Sequence, residues 1–140
     1  MRIRIAHKSL GQVKRKLRQM TRRSQGRSWY ETRERLETYI RGWVNYYALA
    51  DARGHMTRLD NWLRRRMRQL AWKQWKTPKK RRQNLRARGV SAYWAKRAGG
   101  SSRGCWRMSK SPPVQQALSN AYWQKVGLPS FLEQYQLRHT

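Results

Sequence analysis

The chain has 140 residues, with 34 lysines and arginines against 6 acids and a formal net charge of +28. Such a charge repels itself in a compact monomer, and a polyanion that neutralises it is the natural partner, nucleic acid being the commonest large one. Eight tryptophans exclude a disordered basic tail, and the length suits one domain, or two small subdomains, in which a few large side chains do the burying.

Residues 2–6 alternate basic and apolar, which predicts a short extended segment. Ser9 and Gln12 form a capping box ahead of Leu10, Val13, Leu17 and Met20 at helical spacing. Residues 21–27, with Gly26, read as a loop. Ser28 and Glu31 make a second capping box, and the helix behind it carries Leu36, Tyr39, Ile40, Trp43 and Tyr47 on one face. Glu31, Glu34 and Glu37 favour the positive end of its dipole, and Glu31 with Arg35 and Glu37 with Arg41 stand at i,i+4. A third helix is predicted over 53–76, with Leu59, Trp62, Leu63, Met67 and Leu70 as its buried stripe. Arg66 projects onto that stripe and either snorkels outward or pairs with Asp60 or Glu34.

From Thr77 the texture changes. Thr77-Pro78 reads as a cap followed by proline at the first helical position, and Gly89 ends that helix. Ser91 opens a short helix through Ala98, closed by Gly99-Gly100. Residues 99–104 read as a loop and 105–108 as a brief extended piece. Ser111-Pro112 opens a helix near 114–118, and Gly127 ends the next one. Ser130 and Glu133 repeat the capping box before Leu132, Tyr135 and Leu137.

Catalysis is poorly supplied. His7, His55 and His139 lie far apart, none with a second ligand at i+3 or i+4, and one cysteine cannot complete a zinc site. No carboxylate pair stands out for acid/base or two-metal work, so no catalytic residue, metal or cofactor is expected. Gly99-Gly100-Ser101 lacks the context and the lysine of a phosphate-binding loop. Cys105 reads as a small packed residue of a reducing compartment, and the bacterial cytoplasm is the expected location. No stretch approaches a membrane span, and the apolar residues fall on several short stripes, so membrane binding is the weaker reading of the charge.

Binding chemistry is well supplied. At about 100° per residue, Arg64, Arg68, Trp72 and Trp75 fall broadly opposite the third helix's apolar stripe, flanked by Arg65, Lys73 and Lys76. The guanidinium and ammonium groups suit phosphates. The two indoles suit either unpaired bases or a second apolar face for the later helices. Residues 73–82, which include Lys79, Lys80, Arg81 and Arg82, are the densest charge, and Lys14 to Arg18, then Arg22 and Arg23, form a second basic patch. Charge alone leaves DNA and structured RNA equally open.

The string Arg41-Gly42-Trp43-Val44-Asn45-Tyr46-Tyr47 resembles the signature of the group II intron maturase-specific domain, or domain X. Flanking strings are similar to the same family in order: Arg4-Ile5-Ala6-His7-Lys8-Ser9, Leu59-Asp60-Asn61-Trp62-Leu63-Arg64-Arg65-Arg66, Trp72-Lys73-Gln74-Trp75-Lys76, Trp106-Arg107-Met108-Ser109, Ser111-Pro112-Pro113, Asn120-Ala121-Tyr122 and Gly127-Leu128-Pro129-Ser130. The resemblance implies the helical thumb that follows a reverse-transcriptase palm, grips intron RNA and promotes its splicing. It also implies a role in holding the template–primer duplex and in insertion into DNA. The sequence holds no Tyr-Ala-Asp-Asp polymerase motif and no His-Asn-His endonuclease segment, so those activities are not carried over. Within the signature, Trp43, Tyr39 and Tyr47 fall on the core stripe, whereas Arg41, Gly42 and Asn45 fall outside. A glycine there costs helix stability, and a close neighbour, RNA backbone or another helix, would explain it.

The expected fold is therefore all-α, with a three-helix thumb-like bundle over 1–76 and a small subdomain of short helices over 77–140. The expected partners are group II intron RNA, target DNA and a reverse-transcriptase palm made as a separate subunit. The expected contacts are Lys14, Arg15, Arg18, Arg41, Asn45, Arg64, Arg65, Arg68, Trp72, Lys73, Trp75, Lys76, Lys79, Lys80, Arg81 and Arg82. A basic structural protein of a ribonucleoprotein and the thumb of a split reverse transcriptase are the rival readings. Met1 falls where the palm of such proteins ends, which fits a free-standing chain, a fragment and a split subunit alike.

Overall fold

A computed structural model of the chain describes residues 4–22 and 28–139. Among these the regular structure is helical throughout: α1 His7–Met20, α2 Trp29–Tyr46, α3 Arg53–Gln74, α4 Pro78–Ala87, α5 Ala92–Gly99, α6 Cys105–Met108, α7 Pro112–Ala117, α8 Asn120–Lys125 and α9 Phe131–Leu137. The all-α expectation holds. The expected extended segment at 2–6 forms no strand over its described residues, and the loop expected at 21–27 lies largely outside the described residues.

The caps explain most helix starts. Ser28, Thr77, Ser91, Ser119 and Ser130 each accept a hydrogen bond from a backbone N–H of the helix that follows. Ser9 does not cap α1. The helix starts three residues earlier behind Ala6, whose carbonyl accepts from the Ser9 and Leu10 amides. Ile5 is buried and Leu10 packs against the same core, so an apolar residue on each side of the first turn sets the entry in place of a serine. The 105–108 segment, expected extended, is the short helix α6 with Met108 buried. At the end of α4, Gly89 sits at φ 93°, its amide donates to Arg86 and that of Val90 to Leu85, the paired bonds that end a helix on a left-handed glycine.

Packing divides the chain into two compact units, one of residues 1–63 with 127–140, the other of 64–126. The expected division fell at residue 76 and left the last helix in the second part. In the structure α9 returns to the first unit because its apolar residues belong to that core. Phe131 is fully buried and meets Trp43 edge-on at 5.5 Å, in a cluster with Leu17, Leu36, Ile40 and Leu63. Tyr135 donates to the carbonyl of Ala50 at 2.7 Å. Asp60, buried on α3, accepts from the Ser130 hydroxyl at 2.6 Å and from the Phe131 and Leu132 amides at 2.6 and 3.1 Å. An α3 carboxylate thus satisfies the orphan N–H groups that start α9.

In the second unit, Trp72, Leu85, Val90, Ala95, Val114 and Leu118 are buried. Helices α4 and α5 cross at Gly99, where a Cβ would stand 3.0 Å from the Pro78 carbonyl oxygen, a closer approach than nearly all side chains make. The buried face of α3 is not one straight stripe. Met56, Leu59 and Leu63 are buried before residue 64, and Met67, Arg68 and Trp72 after it. Leu70, expected on the stripe, is half-exposed.

Candidate nucleic-acid interface

All six acids lie in the first unit. Residues 64–126 carry eighteen lysines and arginines and no aspartate or glutamate, a formal charge of +18. Arginines inside such a unit cannot find a carboxylate of their own, and the structure shows two other uses for them.

The first use is structural. Arg68 is buried and donates from Nε to the Leu118 carbonyl at 2.7 Å and from a terminal nitrogen to Asn120 Oδ1 at 3.0 Å. Burial, then the neighbouring Arg64, lowers its pKa below the ordinary arginine value. Arg65 donates to the Trp106 carbonyl at 3.0 Å and to Ser109 Oγ at 3.1 Å, with its guanidinium 4.0 Å from the Trp106 ring centre. Arg81 donates to the Trp72 carbonyl at 3.1 Å and lies over that indole at 4.8 Å. The accepting carbonyls stand in the last turn or at the cap of α6, α7 and α3, where helices leave such groups unpaired. Arg65, Arg68 and Arg81, expected on an open phosphate-binding face, are therefore tied to backbone. Trp72 is fully buried and belongs to the core, not to a base-stacking surface. Trp75 is half-buried, 5.9 Å from Trp72, with Arg88 over its ring at 5.1 Å.

The second use is open surface. Lys73, Lys76, Lys79, Lys80 and Arg82 are exposed around the turn from α3 to α4, and Arg64 is half-exposed. Lys76 holds φ at 45°, the left-handed region that a side chain enters at a cost. Further exposed cations of this unit, Arg86, Lys96, Arg107 and Lys110 among them, lie scattered along the sequence outside the expected contacts. The signal that finds them is the absence of acid over the whole run.

In the first unit Arg15 and Arg18 are exposed, and Lys14 and Arg18 lie over the half-buried Trp62 at 5.9 and 5.1 Å. Arg41 is exposed and 3.9 Å from Glu37, an expected pair. Asn45 Oδ1 accepts from Arg138 at 3.3 Å. A Cβ on Gly42 would meet nothing within 4 Å, so no described helix explains that glycine. The predicted residues thus divide between the two units, with Arg65, Arg68, Arg81 and Trp72 turned to structural use.

Among the described residues no group of His, Cys, Asp or Glu is placed to hold a metal ion, and no helix is long and apolar enough to cross a membrane. The model of the group II intron maturase-specific domain matches residues 10–90, more than half of the chain. The chain belongs to that family, and its role is related to that of group II intron maturases. The match begins within α1 and runs past the end of α4, and so contains both the signature and the α3–α4 turn. No curated protein matches the chain.

Proposed function

We propose that this protein binds structured group II intron RNA and promotes its splicing by gripping phosphates. The observation that carries the reading is the acid-free second unit, with Lys73, Lys76, Lys79, Lys80 and Arg82 exposed at one turn. Each cation that neutralises a phosphate releases a counterion, so a run of them supplies affinity without reading sequence. Arg64 belongs to the same grip. Lys14, Arg15 and Arg18 on α1 and Arg41 on α2 supply further phosphate contacts, and the open space beside Gly42 suits a closely approaching RNA backbone. Asn45, one turn along α2 from Arg41, and Trp75, next to Lys76 in the chain, are further contacts in this reading. Family membership supports intron RNA as the polyanion.

The test is binding to the intron RNA and to an unrelated structured RNA of equal length across a salt series. Both affinities fall steeply with salt, and the intron RNA keeps an advantage at every salt concentration. Equal affinities throughout would leave a general binder and refute the maturase reading.

A further inference from the structure

The second unit holds a pocket of about 550 Å³, in the size range of small-molecule and nucleotide sites. Trp94 and Arg97 of α5 line it, with Ser101 and Arg103 from the loop after α5, and Pro112 and Gln116 of α7. Trp94 is 52% exposed, unusual for the largest apolar side chain in a protein that buries Trp72 completely. Tyr93 stands edge-on to it at 5.0 Å and is itself exposed. Arg97 donates to the Tyr93 hydroxyl at 2.7 Å, and its guanidinium lies 5.9 Å from the Trp94 ring centre. That bond fixes a cation beside an aromatic plate. Gln116 donates to the Gly89 carbonyl at 3.2 Å, which orients its amide at the rim.

No carboxylate of this unit is available to Arg97 or Arg103, so the anion that neutralises them comes from outside it. A flat π-face, two cations and a few polar groups match the parts of a nucleotide, a base that stacks and a phosphate that pairs. A base inside a duplex has both faces covered, so the nucleotide must be unpaired. We propose that this pocket takes one unpaired nucleotide of a single-stranded RNA or DNA segment, its base stacked on Trp94 and its phosphate held by Arg97 and Arg103. The site goes beyond the phosphate grip proposed above and uses none of its residues, so either can fail alone.

The test uses the full chain with two fluorescently labelled octamers, oligo-U and oligo-dU, and with their abasic counterparts of equal phosphate number. Wild type binds each base-bearing octamer more tightly than its abasic partner and shows quenched tryptophan emission. Trp94→Ala lowers octamer affinity by roughly 5- to 150-fold, the span of one stacked base, and abolishes the preference over the abasic strand. Trp94→Phe restores most of the affinity, and Arg97→Ala with Arg103→Ala weakens base-bearing and abasic strands together. Tighter binding of one octamer identifies the sugar that the pocket accepts, and equal binding shows that the base and phosphate suffice. Equal affinity of wild type for base-bearing and abasic strands overturns the proposal, whatever happens to Trp94→Ala. An unchanged affinity in a folded Trp94→Ala overturns it as well. A Lys79→Ala, Lys80→Ala, Arg82→Ala triple variant loses intron RNA affinity yet keeps the preference for bases, which separates the two sites.

Discussion

Arg68 Nε lies 2.7 Å from the carbonyl oxygen of Leu118, a buried cation whose partner is the capping carbonyl of a short helix. A guanidinium stays charged at neutral pH even with its pKa lowered by burial, so the bond is charge-assisted. Arg68→Ala removes it and leaves a buried carbonyl unpaired, at a cost of about 1–3 kcal/mol. The expected result is a lower denaturant midpoint, with RNA affinity unchanged wherever the variant is still folded. A stable variant with weakened RNA binding would return Arg68 to the interface.

The opposite behaviour is expected at the α3–α4 turn. Changing Lys79, Lys80 and Arg82 together to alanine removes three exposed cations from an acid-free unit. The slope of log affinity against log salt becomes shallower by about 2–3, because that many fewer counterions are released. Helical content and melting temperature hold or rise slightly, since self-repulsion falls. An unchanged slope would place the RNA elsewhere.

Gly42 lies on an exposed helix face with open space around its Cα. Gly42→Ala should stabilise the free protein by roughly 0.5–1 kcal/mol, the helix cost of glycine. If RNA backbone approaches that face, the same change lowers RNA affinity. A thermal melt and a binding titration on one variant measure both effects, and a stabilised protein with unaltered affinity would remove Gly42 from the interface.

Asp60 closes the first unit by accepting three hydrogen bonds from the start of α9. Asp60→Ala should cost about 1–3 kcal/mol, as the loss of a helix cap and a set of charge-assisted bonds. Hydrogen exchange should show α9 amides losing protection before those of α2. Uniform loss across the unit would mean that α9 and α2 open together.

Burial first, and Tyr47 second, raises the pKa of the Tyr39 phenol in the folded chain. Above the ordinary tyrosine value of about 10 the unfolded chain releases this proton first, so it holds fewer protons than the native state. This residue's contribution therefore falls as pH rises from about 10 toward the folded pKa. Tyr39→Phe has no such proton, and its unfolding free energy should decline less over that range than the wild-type value. Parallel curves would show that Tyr39 ionises alike in both states.

The helix starts were legible because serine and threonine caps act locally, as at Ser28, Thr77, Ser91 and Ser130. Ser9 misled because Ile5 and Leu10, apolar and packed on the core, decide where α1 begins. The α3 face misled for a longer-range reason. A straight stripe from Leu59 to Leu70 puts Arg68 and Trp72 on the outside, yet a second core takes both. An arginine that caps a carbonyl and one that grips a phosphate are the same letter, and only the packing of α6, α7 and α4 tells Arg65, Arg68 and Arg81 from Arg82. The exposed cations were legible as a run because Lys73 to Arg82 are close in sequence. The pocket at Trp94 was not, since its residues come from α5, a loop and α7.

The interrupted chain path of the first unit sets an order of assembly during translation. Residues 64–126 are one continuous run, so the acid-free unit can complete its packing as soon as it leaves the ribosome. Phe131 and Tyr135 follow that run in the chain, and until they arrive the earlier core stays open at their places. A chain released before residue 131 would thus carry a finished cationic unit joined to an exposed apolar surface, a product prone to aggregate on whatever RNA it meets.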